Sequence, residues 1–212
     1  MRRVLTVAAA LALCSGAYAD IESYLDCYYQ ADVAPGSDPL VPDFNDVTYY
    51  TIDLRVIVSN NDDWTSSAAE ATIDSGVFFD HPYGDNTPPM AAFVHVYPAM
   101  EFDSFYCATE SDPTNQPPYK DPVVGGDPID EPQYKEALWY DTPANGGDGD
   151  FLHARYTIKA VPEELPVTFH VSGASTTYNG GGYLYPFELT CVIPEPGSLV
   201  LLGLGLALIR RR

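Results

Sequence analysis

Period-two alternation of apolar and polar residues constrains this chain more than any other feature. Tyr50, Ile52, Leu54, Val56 and Val58 share one face of an extended segment while Thr51, Asp53 and Arg55 take the other, Ile57 being the exception. Leu152, Ala154, Tyr156 and Ile158 repeat the pattern against His153, Arg155, Thr157 and Lys159. Val167, Phe169 and Val171 do so again, and Tyr183, Tyr185, Phe187, Leu189 and Cys191 form a last alternating segment. Such segments bury one face only by pairing into sheets and stacking them. Further strand candidates are Ile21 to Tyr29, Ala68 to Phe79, Phe93 to Tyr97 and Glu101 to Cys107.

Turn chemistry separates these runs: Pro35-Gly36, Asn60-Asn61-Asp62-Asp63, Gly84-Asp85-Asn86 and Asn145-Gly146-Gly147-Asp148-Gly149-Asp150. No long helical period intervenes. The expected fold is all-β, an antiparallel β-sandwich or jelly roll, flanked by an N-terminal signal helix and a short C-terminal apolar helix. Residues 111–132, rich in Pro, Asp and Gly, are expected to form one long surface loop.

The two ends read as targeting segments. Arg2 and Arg3, the apolar stretch Val4 to Leu13 and the small-x-small triplet Ala17-Tyr18-Ala19 make residues 1–19 a signal peptide for the Sec export machinery. Leu13 before Cys14 argues against a lipoprotein signal, which wants a small residue there, and the bare Arg2-Arg3 pair is too little for a twin-arginine one. At the other end Pro194, Glu195 and Pro196 precede an apolar run from Leu199 to Ile209, and Arg210, Arg211 and Arg212 follow it. The prolines break regular structure, the run can enter a bilayer, and the arginines hold its end on the cytoplasmic side as a membrane stop. As a helix the run from Gly197 spans about 20 Å, against a hydrocarbon core of about 30 Å, which suits a transient membrane handle better than a lasting transmembrane helix. The organisation expected is therefore signal peptide 1–19, ectodomain 20–192 and tail 193–212, with the ectodomain outside the cytoplasm.

That ectodomain is strongly acidic. Of 30 acidic residues only Glu195 lies outside it, and of 10 basic residues only Arg55, Lys120, Lys135, Arg155 and Lys159 lie inside, leaving a formal charge of −24. Such a field excludes nucleic acid and anionic lipid as partners and favours solubility. Cys27, Cys107 and Cys191 survive signal removal, enough for one disulfide in an oxidising exterior. All three pairings are open. Cys27 with Cys191 is favoured, because first and last strands of sandwiches often lie side by side and the long closed loop restricts the unfolded chain most.

The order Pro-Glu-Pro, apolar helix, arginine cluster resembles the sorting tail of the PEP-CTERM family, bacterial proteins exported and then processed at the membrane by an exosortase. The resemblance covers about a tenth of the chain. It implies an exosortase as partner, a cut near Pro194 to Pro196, and delivery from the inner membrane to the cell surface or extracellular matrix of a Gram-negative-type bacterium. A second resemblance covers residues 45 to 160. Asp62-Asp63-Trp64-Thr65-Ser66, Gly76-Val77-Phe78-Phe79-Asp80-His81-Pro82, Tyr97-Pro98-Ala99-Met100-Glu101-Phe102-Asp103, and Gly149-Asp150-Phe151 through Ala154-Arg155-Tyr156-Thr157 are similar to ectodomains of PEP-CTERM proteins from planctomycete-like bacteria. Those are secreted β-rich proteins, and the likeness implies no catalytic position.

Candidate chemistry is sparse. Glu101 and Asp103 on a strand would face the same way, and the segment resembles the front half of the Glu-x-Asp-x-x-Glu strand of laminarinase-like glycosidases. Tyr106 stands where that family carries its second acid, so solvated strand carboxylates are expected instead. Asp148 and Asp150, and Asp62 and Asp63, are candidate calcium ligands, because hard cations need only clustered oxygens, though ordinary turns are the expected reading of both pairs. His81, His95, His153 and His170 lack short metal spacings, and His153 and His170 fall on polar strand faces where surface histidines are expected. Trp64 and Trp139 are the candidates for glycan contact. The reading is a non-enzymatic, exosortase-sorted surface protein of structural or adhesive role, with no cofactor and an exopolysaccharide as candidate partner. The alternatives are a calcium- or carbohydrate-binding module and a secreted hydrolase.

Overall fold

The computed structural model describes residues 21–29, 38–41, 48–60, 63–108, 121–141, 147–178 and 184–195. The signal segment, Asp62, Pro196 and the arginines Arg210 to Arg212 lie outside them. Among the described residues, ten strands form two five-stranded antiparallel sheets. In the first, β1 (Ile21–Tyr29) pairs with β2 (Thr48–Val58), which pairs with β8 (Gly149–Ala160). Two short strands, β4 (Val77–Phe78) and β5 (Phe105–Tyr106), both pair with β8 beyond β2. In the second sheet the order is β10 (Leu184–Ile193), β9 (Val167–Thr177), β3 (Trp64–Ile73), β7 (Tyr134–Tyr140) and β6 (Val123–Glu131). This is the antiparallel sandwich that the alternation predicts.

The inward residues follow the period-two rule. Ile52, Leu54, Val56 and Val58 of β2 meet Ala69, Ala71 and Ile73 of β3 and Val167, Phe169 and Val171 of β9 in one continuous core. Each of the larger side chains among them contributes about 1.5–3 kcal/mol by leaving water. Strand β8 is covered on both faces. Outside it, the segment after β4 folds back, with Phe79 donating its N–H to Thr157 O at 2.8 Å and Ser104 Oγ accepting from Thr157 N at 3.1 Å. Two satellite clusters, Val41-Tyr49-Phe79-Ala99-Phe102 and Phe105-Cys107-Leu152, fill that outer layer.

Four expectations need correction here. The second half of the expected 111–132 loop contains β6, an edge strand whose Pro128, Asp127, Asp130 and Glu131 guard it against pairing with other chains. It forms a hairpin with β7 through Pro132-Gln133, and a bulge between Gly125 and Ile129 hides its alternation. Phe93 to Tyr97 is not a strand: α1 (Ala91–Val96) forms there and stops before Tyr97, which precedes Pro98 and so leaves the helical region. Glu101 lies in a 3-10 turn, Pro98–Phe102, rather than on a strand beside Asp103. Finally, β8 carries one extra residue: Leu54 pairs with Ala154 while Arg55 pairs with Leu152, leaving His153 as a bulge. The bulge flips the local alternation, sending Leu152 to the outer layer and His153 into the core.

Candidate functional site

Four polar constellations stand out among the described residues. The first is built on the β8 bulge. His153 is 1% exposed; its Nε2 lies 2.6 Å from Ser67 Oγ, which is also 2.6 Å from Ser175 Oγ and accepts from Trp64 Nε1 at 3.0 Å. Trp64 packs edge-on to the imidazole at 4.6 Å between centroids and Trp139 lies at 5.0 Å. Burial alone pushes the His153 pKa down to about 3, so the ring is neutral. His153 Nδ1 and Trp139 Nε1 are buried without a hydrogen-bond partner. A serine–histidine contact with this geometry resembles a nucleophile–base pair, but a sealed core gives a substrate no approach.

These positions overturn two expectations. Trp64 and Trp139 are fully buried, so neither can stack on a sugar from solution; they are core residues whose indoles wrap a neutral histidine. His153 is not a surface residue, and no sequence signal short of the bulge itself marks it. His170, by contrast, stays on the outer face beside Thr190.

The second constellation pins the turn after β4. Asp38, wholly buried, accepts from Leu40 N at 2.9 Å and Ala99 N at 3.1 Å, and its Oδ2 lies 3.3 Å from His81 Nε2. His81 Nδ1 accepts from Tyr83 N at 3.1 Å, which places the ring proton on Nε2 facing Asp38. Asp103 Oδ1 accepts from His81 N at 2.7 Å, while Oδ2 is buried without a partner against Gly84. Burial raises the Asp103 pKa to about 8 against the opposing pull of that backbone hydrogen bond. Glu101 is exposed on the adjoining turn and Asp103 is 1% exposed, so the two carboxyls do not flank a common cleft.

The third centres on Lys135 of β7, 2% exposed, whose Nζ donates to Asp80 Oδ1 at 2.7 Å and to Asp130 Oδ1. The fourth is on the outer face of the first sheet. Arg155 makes a two-point bond to Asp53 at 2.8 and 2.9 Å, and Arg55 Nε bonds Asp150 Oδ1 at 3.1 Å and Tyr24 Oη at 2.9 Å. Asp150 therefore neutralises Arg55. Asp63 Oδ1 accepts from Gly147 N at 2.7 Å, bringing the two acidic turns side by side, with Asp148 exposed beside them. Among the described residues no group of three or more His, Cys, Asp or Glu is placed to hold a metal.

Covalent and terminal features complete the picture. Cys27 of β1 is joined to Cys191 of β10, closing one lateral edge of the sandwich with Cα atoms 6.6 Å apart. Cys107 is buried, and burial raises its pKa well above the ordinary thiol range, so it is held as an inert thiol. Strand β10 ends at Ile193, and Pro194 and Glu195 follow at once, both exposed. Residues 192–212 match the family model of the PEP-CTERM protein-sorting motif. This tail marks an exported protein that an exosortase sorts through the membrane toward the surface. Among the described residues no helix is long and apolar enough to cross a membrane.

None of the curated proteins matches the chain. Among solved structures, the full-length major pilin SpaD of Corynebacterium diphtheriae aligns over 81% of this chain and 35% of its own, with 9% identity and a TM-score of 0.35. A DUF4466 family protein from Parabacteroides merdae aligns over 79% of this chain and 42% of its own, with 12% identity and a TM-score of 0.28. The chain thus spans less than half the length of either.

Proposed function

We propose that this protein is a non-enzymatic structural or adhesive element of the cell surface or extracellular matrix. It is delivered by the Sec machinery, held briefly by its tail and cut by an exosortase near Pro194 to Pro196. The observation that carries the reading is the junction at Ile193: a sorting motif follows directly on the last strand of a sandwich whose buried histidines and carboxyls serve its own packing. A charge of −24 on residues 20–192 keeps such a domain soluble and apart from anionic lipid, while a neutral exopolysaccharide remains a compatible partner. The test is fractionation of an exosortase-bearing host expressing the full chain or a chain ending at Ile193. The full chain is expected at the surface or in the matrix and the shortened chain free in the periplasm or medium. Identical distribution of the two forms overturns it.

A further inference from the structure

Lys135 is a buried amine whose surroundings resemble a reaction centre more than a surface ion pair. It projects from β7 toward the interior in line with Ala137 and Trp139, under the ring of Phe78 at 5.8 Å. Its two carboxyl partners come from different sheets. Asp130 is its cross-strand partner in the β6–β7 hairpin. Asp80 follows β4, which is tied to the hairpin turn by Phe78 N donating to Pro132 O at 2.7 Å and Gln133 Nε2 donating to Gly76 O at 3.1 Å. Amine, carboxyl and second carboxyl are thus held in contact by the fold before any chemistry begins, which removes the entropic cost of bringing them together.

The Lys135 amine is 2% exposed, while Asp80 and Asp130, 39% and 41% exposed, hold it from the solvent side. Burial raises the pKa of Asp80, against the opposing attraction of Lys135. We propose that Lys135 and Asp80 condense into an intramolecular amide that staples the two sheets, with Asp130 carrying the proton. The ammonium first passes one proton to the Asp80 carboxylate. The Nζ lone pair then attacks Cγ of Asp80, forming the C–N bond. Asp130 takes a proton from the nitrogen and delivers it to the departing hydroxyl as the C–O bond breaks, so that one water leaves and no oxidant or reductant is needed. Asp80 is 39% exposed, which leaves the water a way out. The product replaces an ion pair whose amine is buried with a neutral amide. It also closes the lateral edge opposite Cys27–Cys191, so that each open side of the sandwich carries one covalent bridge.

Intact-mass measurement of the folded, purified chain, followed by proteolysis and fragmentation, tests the staple. The expected result is a mass one water below that of the chain with its Cys27–Cys191 disulfide, and a branched peptide joining residues 80 and 135. Lys135→Met and Asp80→Ala should each restore the full mass, and Asp130→Ala should slow or abolish the loss. A wild-type chain that shows no loss of water beyond its disulfide after long incubation at neutral pH overturns the proposal, whether or not the variants fold. So does a lost water that maps elsewhere, such as a succinimide at Asp148-Gly149, and a cross-link from Lys135 to Asp130 overturns the assignment of the electrophile.

Discussion

Acidification from pH 7 to pH 5 should cost this domain stability through one side chain, His153. Its folded pKa is pushed down to about 3 by burial, against an ordinary value of 6.5. The sign follows from linkage: the unfolded chain takes up a proton below about pH 6.5 that the folded chain refuses until about pH 3. The contribution is therefore intact above pH 6.5 and is lost progressively as pH falls from 6.5 toward 3. At about 1.4 kcal/mol per pKa unit, the loss is about 2 kcal/mol at pH 5 and about 5 kcal/mol at its limit. For a domain of about 5–15 kcal/mol total stability that is a large share. The assay is urea unfolding followed by tryptophan emission, since both tryptophans of the chain, Trp64 and Trp139, touch the imidazole. His153→Gln retains a polar contact to Ser67 but cannot acquire charge. Carboxylates titrate in both proteins, so the difference between wild type and variant isolates the histidine. The variant starts less stable at pH 7, and the gap should narrow by about 2 kcal/mol at pH 5. Parallel pH profiles for the two proteins, or an imidazole that titrates near its ordinary value in the folded state, would refute the reasoning.

Asp103 should act in the opposite sense. Its pKa of about 8 against an ordinary 3.8 means that wild type loses stability as pH rises through that window, so Asp103→Asn should gain on wild type by about 1.4 kcal/mol per pH unit between pH 4 and 8, read from chemical denaturation. Replacing Cys27 and Cys191 together by Ser should cost about 2–5 kcal/mol, because the bridge spans a sequence separation of 164 residues; an unchanged melting temperature under oxidising conditions would contradict this. Gly173→Ala should destabilise by about 1–3 kcal/mol, since an added Cβ would meet Ala68 O at 2.1 Å across the β3–β9 ladder, and calorimetry would show it.

How far the sequence speaks depends on whether a local rule or a register decides the outcome. β1 coincides with its expected bounds and β2 and β9 form around their alternating runs, because an inward apolar set every second residue leaves one way to bury them. The Trp64 and His153 placements were illegible for one reason. Both sit at register shifts, Trp64 beside the offset between Trp64 and Ser66 against β9, and His153 at the β8 bulge. A single extra residue reverses the face, and nothing in the composition near either position announces it. β6 was hidden differently, since Gly125, Gly126 and Pro128 carry loop chemistry yet sit in an edge strand that tolerates them. The Lys135 cluster left a faint trace: Asp130 and Lys135 flank Pro132-Gln133 at the spacing of a two-residue hairpin, which pairs them, but Asp80 arrives from the other sheet and only the three-dimensional fold brings it in.

Intact-mass analysis of the mature protein recovered from an exosortase-bearing host tests the central claim most directly. Export and sorting predict a chain that begins at Asp20 and ends near Pro194 to Pro196, at the exposed exit of β10. A mature chain that still ends in Arg210-Arg211-Arg212 would contradict the account.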